Sequence, residues 1–353
     1  MFFQAVQINY GVRNLLATLP VAIKTKMKAS LPADSALASM SSDIAEALGC
    51  AHVQWGGPIS VRNNSTVYII HPSTGLPDSA ILKCCRDPVT GQIDNVSANR
   101  QFQALSRTQS ALARMGSAQD VPLPLLLLPA AGAYLMSRVE GEPLTACLHR
   151  RWELAALVDV CERAGQWLAR FHAAGPLRTG AADIASKLIL IDEMKQLPVR
   201  HPVFELALRD LASSTTMASL KLNISWLHGD CKADNLLISR GRVVGIDIDL
   251  RYENSVEHDL AQFMNHLDLV LMRYRLVHLR RSASILQDSF MLGYQKSGIS
   301  ISMEFLKWLR IWSALASWHA RRTGNSTRWY ERLITDRNFS SLTHRIQVPK
   351  SRV

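Results

Sequence analysis

Residues 226–250 read WLHGDCKADNLLISRGRVVGIDIDL. Two short apolar runs, 236–238 and 243–248, meet at Ser239-Arg240-Gly241-Arg242, a polar stretch with a glycine that suits a tight turn, so the segment predicts a β-hairpin. Asp230 and Asn235 stand at its entry, Asp247 and Asp249 at its exit. Antiparallel pairing returns the exit beside the entry, so an amide and two or three carboxylates converge without any distant contact. Hard oxygen ligands in that number suit Mg2+, which keeps several waters and takes few protein ligands together with phosphate oxygens. A Mg·nucleotide site is the chemistry to which the stretch points. Each residue alone would serve equally as a turn or cap; the set at these spacings carries the expectation.

Upstream of the hairpin, residues 65–71 and 79–85 read as strands, separated by Pro72, Ser73, Gly75 and Pro77. Residues 96–115 are polar and apolar at helical spacing, with Phe102, Leu105 and Leu112 on one side. A further strand is expected over 133–139, and an amphipathic helix over 151–174, where Leu154, Leu157, Val158, Cys161, Ala164, Leu168 and Phe171 recur at steps of three and four. From Val256 onward the pattern is helical. The order predicts an α+β protein with a strand-rich N-terminal lobe and a helix-rich C-terminal lobe. Trp308, Trp312 and Trp318 fall with Leu309, Ile311 and Leu315 at helix-core spacing; a ring stacked on a substrate is the alternative.

His228-Gly229-Asp230, four residues, Asn235, and then Ile246-Asp247 resemble the aminoglycoside phosphotransferase and choline kinase-like family. Leu168-Ala169-Arg170-Phe171-His172 looks like the helix ahead of that family's catalytic loop, and Asp259-Leu260-Ala261 looks like its Asp-Leu-Ala. The resemblance covers most of residues 50–335 and implies a two-lobed, protein-kinase-like fold. It implies an N-terminal extension at 1–40, a small antiparallel-sheet N-lobe for nucleotide at 41–137, and a larger helical C-lobe at 138–353. The activity it implies is transfer of the ATP γ-phosphate to a small-molecule hydroxyl with Mg2+, which asks mainly for positioning and charge neutralisation. Asp230 would orient the acceptor hydroxyl and take its proton. Asn235 and Asp247 would hold the metal, and Lys83, in Ala80-Ile81-Leu82-Lys83, would reach the α- and β-phosphates. The backbone from Ser137 to Val139 would hydrogen-bond adenine. A loop from Gly56-Gly57 through Asn64, Ser65 and Thr66 would cover the phosphates. Lys232 would either touch the γ-phosphate or face solvent, and His228 and Asp259 would brace the loop.

The sequence departs from the family's pattern in three places. Where a glutamate would pair with the lysine, the aligned residue is Gln101, with Gln103 behind it. The hairpin is about one residue short, so Asp249, two residues after Asp247 and on the same face of a continued strand, competes with it as the metal ligand. The phosphate loop has no glycine beyond its first two residues. These departures motivate a second reading, a kinase-like pseudoenzyme that senses nucleotide or binds a partner. The acceptor is expected to be a sugar, a sugar phosphate or an amino alcohol, for which Glu253, Glu257 and Asp268 are nearby acids in sequence.

The chain of 353 residues, 48% hydrophobic and 20% charged, is globular in composition. Its most apolar stretch, 121–136, carries Pro122, Pro124 and Pro129 and is too short to span a bilayer. The formal charge of +11 is concentrated in 269–353, where 15 basic residues face 4 acidic ones. That region suits an anionic membrane surface; no nucleic-acid motif accompanies it, and none is expected as a partner. None of the six cysteines forms a Cys-x-x-Cys pair, so neither a zinc ribbon nor a thioredoxin motif is expected, and with no secretory signal in the sequence the expected setting is a reducing cytoplasm. Cys231, beside Asp230, lacks a partner constellation and reads as loop filling. Residues 1–33 contain Arg13, Lys24, Lys26 and Lys28 and no acid, as a flexible leader, an over-long start or a targeting segment would.

Overall fold

A computed structural model describes residues 34–72, 79–150, 153–196, 202–213, 215–250, 252–272 and 282–323. The leader at 1–33, and most of the basic residues expected to form a C-terminal surface, lie outside the described residues. The order begins with helix α1 (Asp34–Ala47), strands β1 (Val53–Arg62), β2 (Ser65–Pro72) and β3 (Ala80–Cys85), helix α2 (Asn95–Arg114), and strands β4 (Pro124–Leu128) and β5 (Ala133–Ser137). Helices α3 (Leu144–His149) and α4 (Leu154–Ala174), strand β6 (Arg178–Ala181), helices α5 (Ala185–Lys195) and α6 (Pro202–Ser213) and strand β7 (Lys221–Trp226) follow. The hairpin is β8 (Leu236–Ser239) and β9 (Arg242–Gly245), and β10 (Glu253–Ser255) leads into α7 (Glu257–Leu271), α8 (Ala283–Gln295) and α9 (Met303–Thr323). The described residues fall into two compact units, one of 34–141 and 237–249, the other of 142–236 and 250–323.

The first unit is built on an antiparallel sheet in the order β1-β2-β3-β5-β4. Alternation along β3 and β5 sends Leu82 and Leu135 to the face where Met40 and Ile44 of α1 close a core with Tyr68, Ile70 and Leu128. Each such fully buried aliphatic side chain is worth roughly 1.5–3 kcal/mol. Lys83 and Tyr134 are directly paired across β3 and β5, so their side chains share the opposite face. Asp94 caps α2, its carboxylate accepting from the Ser97 N–H at 2.9 Å.

Three expectations about this unit need correction. Gly56 and Gly57 lie inside β1 and not in a phosphate-covering loop. There the register of β1 against β2 shifts on both sides of Pro58, because a glycine pair followed by a residue with no N–H favours a bulge. A Cβ on Gly56 would stand 3.1 Å from the Ile69 carbonyl oxygen. The chain reverses at Asn63-Asn64 instead. Strand β5 stops at Ser137, two residues early. Strand β9 ends at Gly245, not at Ile248, and Asp247 has a φ of 60°. The two-residue alternation that put Asp249 on the face of Asp247 is therefore broken. The hairpin turn is as expected, with Arg240 and Gly241 both at positive φ, 46° and 78°, as a two-residue type I′ connection requires.

In the second unit β7 is the centre of a three-stranded sheet in the order β10-β7-β6 and runs directly into residues 227–235. The long helices α4 and α8 approach so closely that a Cβ on Gly165 would lie 1.9 Å from the Phe290 carbonyl oxygen, and one on Gly293 the same 1.9 Å from that of Glu162. Backbone cannot swing aside as a side chain can. Gly165→Ala is expected to force the helices apart and to cost at least the ~1–3 kcal/mol typical of overpacking. The denaturant midpoint measures this, and an unchanged midpoint would contradict the packing. Trp308 and Trp318 are buried as the helix-core reading required, while Trp312 is half-buried with Lys187 Nζ over its ring. Among the described residues no helix is long and apolar enough to cross a membrane.

Candidate active site

The loop that follows β7 is held by one face of α7. Asp259 accepts from the backbone N–H of His228 at 2.7 Å and of Gly229 at 3.1 Å. Gln262 accepts from the Cys231 N–H at 2.7 Å, and His266 Nδ1 from that of Ala233 at 3.2 Å. Steps of three and four residues put these three side chains in one row along the helix, and the row supplies acceptors for four of the loop's backbone donors. Asp259 is further fixed by His172 Nε2 at 3.1 Å, and His172 by the Tyr294 hydroxyl at 2.8 Å. Burial alone would push the Asp259 carboxyl up. The hydrogen bond and charge of His172 overcome this and hold it below the ordinary value, so it braces the loop as a carboxylate. Gly229 sits at φ 76°, a conformation that suits glycine.

Within this loop Asp230, Lys232 and Asn235 come together. Lys232 Nζ lies 2.5 Å from Asp230 Oδ2, and Asn235 Nδ2 donates to both Asp230 Oδ2 and the Asp230 carbonyl oxygen, each at 2.9 Å. Lys232 is 2% exposed, which rules out the solvent-facing alternative. Both Asn235 donors are spent on Asp230, so the amide oxygen is what this residue can offer to a cation. Asp234 belongs to a separate pairing. Burial would raise its carboxyl, but His266, then Thr145 and Lys232, hold it well below the usual range. Cys231 is fully buried, and burial, with Asp259 and Asp230 adding, keeps its thiol protonated. It fills the loop, as expected.

The other predicted residues lie in the first unit. Lys83 is 7% exposed and its Nζ pairs with Asp247 Oδ1 at 2.8 Å. Burial would lower its basicity; the Asp247 carboxylate outweighs that and holds the ammonium well above its usual value, with Tyr134 assisting. Gln101 does not meet Lys83 directly. Its Oε1 accepts from the Tyr134 hydroxyl at 3.2 Å, and Tyr134 is the cross-strand partner of Lys83. Asp249 is tied to Arg100, with Nε to Oδ1 at 2.7 Å and Nη2 to Oδ2 at 3.4 Å. The backbone N–H of Ser137 is spent on the Leu123 carbonyl, and its hydroxyl accepts from the Leu123 N–H. This leaves Val139, half-buried just past β5, as the better linker donor of the two. Asn64 and Ser65 lie at the β1–β2 turn, where the Asn64 carbonyl accepts from the Arg86 N–H.

The acids nearby in sequence are engaged except for one buried oxygen of Glu257, Oε2. Glu253 pairs with Arg178 at 3.2 Å, Glu257 accepts from the Ser302 N–H at 2.9 Å, and Asp268 binds Arg310 at 2.7 Å. The sequence reading missed Tyr134, Arg100, Gln262 and His266. The last two carried a signal, since polar residues at helical spacing from Asp259 interrupt an otherwise apolar helix. Tyr134 and Arg100 carried none, because their partners are 33 or more residues away.

A sequence model of the phosphotransferase enzyme family matches residues 58–267. Among solved structures, the chain resembles glucosamine kinase in complex with glucosamine, ADP and inorganic phosphate at a TM-score of 0.60 and 16% identity, over 85% of this chain and 83% of that one. It resembles a choline/ethanolamine kinase family protein from Mesorhizobium loti at 0.57 and 13%, over 90% and 96%. Amicoumacin kinase in complex with AMP-PNP, Ca2+ and Ami is similar at 0.53 and 12%, over 83% and 88%. At these identities the likeness is one of fold, the two-part small-molecule kinase architecture expected from the sequence. No curated protein matches the chain.

Proposed function

The chain belongs to the phosphotransferase enzyme family, and from that premise we propose that it transfers the γ-phosphate of ATP to a hydroxyl of a small molecule. The observation that carries this reading is the constellation of Asp230, Lys232 and Asn235 in a loop braced at four backbone donors by α7. Asp230 orients the acceptor hydroxyl and takes its proton as the oxygen attacks phosphorus. Lys232, 2.5 Å from that carboxylate, holds it in place and offers positive charge where the γ-phosphate arrives. Asn235 and Asp247 would each offer a hard oxygen, a donor type that suits Mg2+ better than a softer metal. When bound, that ion would neutralise phosphate charge. Asp247 is assigned over Asp249 because Arg100 engages both carboxylate oxygens of Asp249. Lys83 reaches the phosphates, and the backbone at Val139 binds the base.

The acceptor is proposed to be a sugar, a sugar phosphate or an amino alcohol. Glu253 and Asp268 are ion-paired and Glu257 is fully buried, so none of them stands ready for a substrate ammonium, which favours a sugar or sugar phosphate over an amino alcohol. The pseudoenzyme alternative was motivated by Gln101 and by the shortened hairpin; the Lys83–Asp247 ion pair speaks against the first of these grounds, since the ammonium has a carboxylate partner without a helix glutamate. Six free cysteines fit a reducing, cytoplasmic compartment. The test is a screen of labelled ATP against sugars, sugar phosphates and amino alcohols. Acceptor-dependent transfer that Asp230→Asn abolishes supports the proposal, and binding of ATP with no transfer to any class supports the silent alternative.

A further inference from the structure

The turn that carries Asp247 is not secured by secondary structure. Strand β9 ends at Gly245, and Asp247 sits at φ 60°, a left-handed conformation uncommon for any residue but glycine. Such a residue persists where its surroundings over-determine it. Two ion pairs help to do so here, one from the sheet and one from the helix. Lys83 from β3 takes Asp247, and Arg100 from α2 takes Asp249 with both of its carboxylate oxygens. Arg100 is pre-set for this, since its Nη2 also donates to Ser97 Oγ, one turn back on the same helix, at 3.3 Å. Next to it on α2, Gln101 binds the Tyr134 hydroxyl, and Phe102 packs edge-on against the same ring at 6.3 Å between centroids.

The sign of charge on α2 is therefore opposite to what the sequence resemblance led one to expect. No helix carboxylate meets Lys83. A helix guanidinium instead meets the carboxylate two residues beyond the lysine's own partner. Lys83, Asp247, Asp249 and Arg100 form an alternating, neutral set. In it the phenol of Tyr134, directly across from Lys83 on the paired strand, donates to Gln101. A carboxylate in place of Gln101 would make the set net negative where phosphates must approach.

We propose that Arg100 is a positioning residue for nucleotide binding, its bidentate pair with Asp249 holding the 246–249 turn so that Asp247 is presented beside Lys83. This rests on the functional reading only in that Lys83 and Asp247 are taken to serve a metal-bound nucleotide. Outer partners that orient a metal ligand typically contribute 10- to 100-fold in affinity. Arg100→Glu is expected to weaken Mg·ADP binding by about that factor in calorimetry. The charge-reversed double variant, Arg100→Glu with Asp249→Arg, restores most of it.

Hydrogen exchange in nucleotide-free protein gives an independent readout. The amides of 246–250 exchange faster in Arg100→Glu and return toward the wild-type rate in the double variant. A purely structural pair would lower thermal stability and leave Mg·ADP affinity and local exchange unmoved in the folded fraction, and that result overturns the proposal. Failure of the double variant to recover either readout overturns it as well. If the wild type binds no Mg·ADP, the functional reading fails. The exchange data then still decide whether Arg100 holds the turn.

Discussion

Asp230→Asn lowers kcat by about 10²- to 10⁴-fold, the range by which a positioned general base contributes, while Mg·nucleotide affinity is kept. Asparagine keeps the shape of the side chain and an oxygen for Lys232 and Asn235, which bond to Asp230 Oδ2 at 2.5 and 2.9 Å. What it removes is the acceptor for the substrate proton. The cost in stability falls on Lys232, which at 2% exposure loses its carboxylate partner. Melting temperature and calorimetric binding therefore accompany the kinetics. A folded, nucleotide-binding variant with wild-type kcat would remove Asp230 from the chemistry.

The largest effect on stability is expected at Asp268, in the helical core of the second unit. It is 3% exposed, and its Oδ2 accepts from both Arg310 Nη2 and Gln287 Nε2 at 2.7 Å. Arg310 also donates to Asn265 Oδ1 at 3.1 Å, and Asn265 returns a bond to the Arg310 carbonyl at 2.8 Å. The network ties α7, α8 and α9 at one level. Breaking a buried pair strands a charge, so Asp268→Ala should cost about 3–5 kcal/mol. Replacing both partners removes the stranded charge, so Asp268→Leu with Arg310→Met should recover much of the loss. That strong non-additivity is what a double-mutant cycle detects. Equal losses in the single and double variants would mean that shape, and not charge pairing, is what the core requires.

The hairpin turn, the helices over 96–115 and 151–174 and the loop from His228 to Asn235 were legible because each depends on neighbours in sequence. A glycine at the right place in a two-residue turn, or apolar residues every three and four positions, needs no distant partner. The end of β9 was not legible. Ile246-Asp247-Ile248-Asp249-Leu250 alternates like a strand, but ion pairs spanning 164 and 149 residues hold the segment in a turn. A local pattern cannot show this. Within the apolar stretch 121–136 strand β4 was hidden, because its prolines read as interruptions, whereas β5 was expected. The prolines fall before β4, at its start and in the 3-10 turn between the strands. Tyr134 in such a run looks like any core aromatic until its cross-strand partner proves to be Lys83.

The central claim is that Asp247, paired with Lys83, serves a metal-bound nucleotide. It is tested most directly by calorimetry of ATP binding with and without Mg2+, on the wild type and on Asp247→Ala and Asp249→Ala. The account predicts Mg2+-dependent binding by the wild type, its loss in Asp247→Ala, and weakened but retained binding in Asp249→Ala, where the turn loses its tether to Arg100 but keeps its ligand. Binding that ignores Mg2+, or that survives in Asp247→Ala and vanishes in Asp249→Ala, would contradict it.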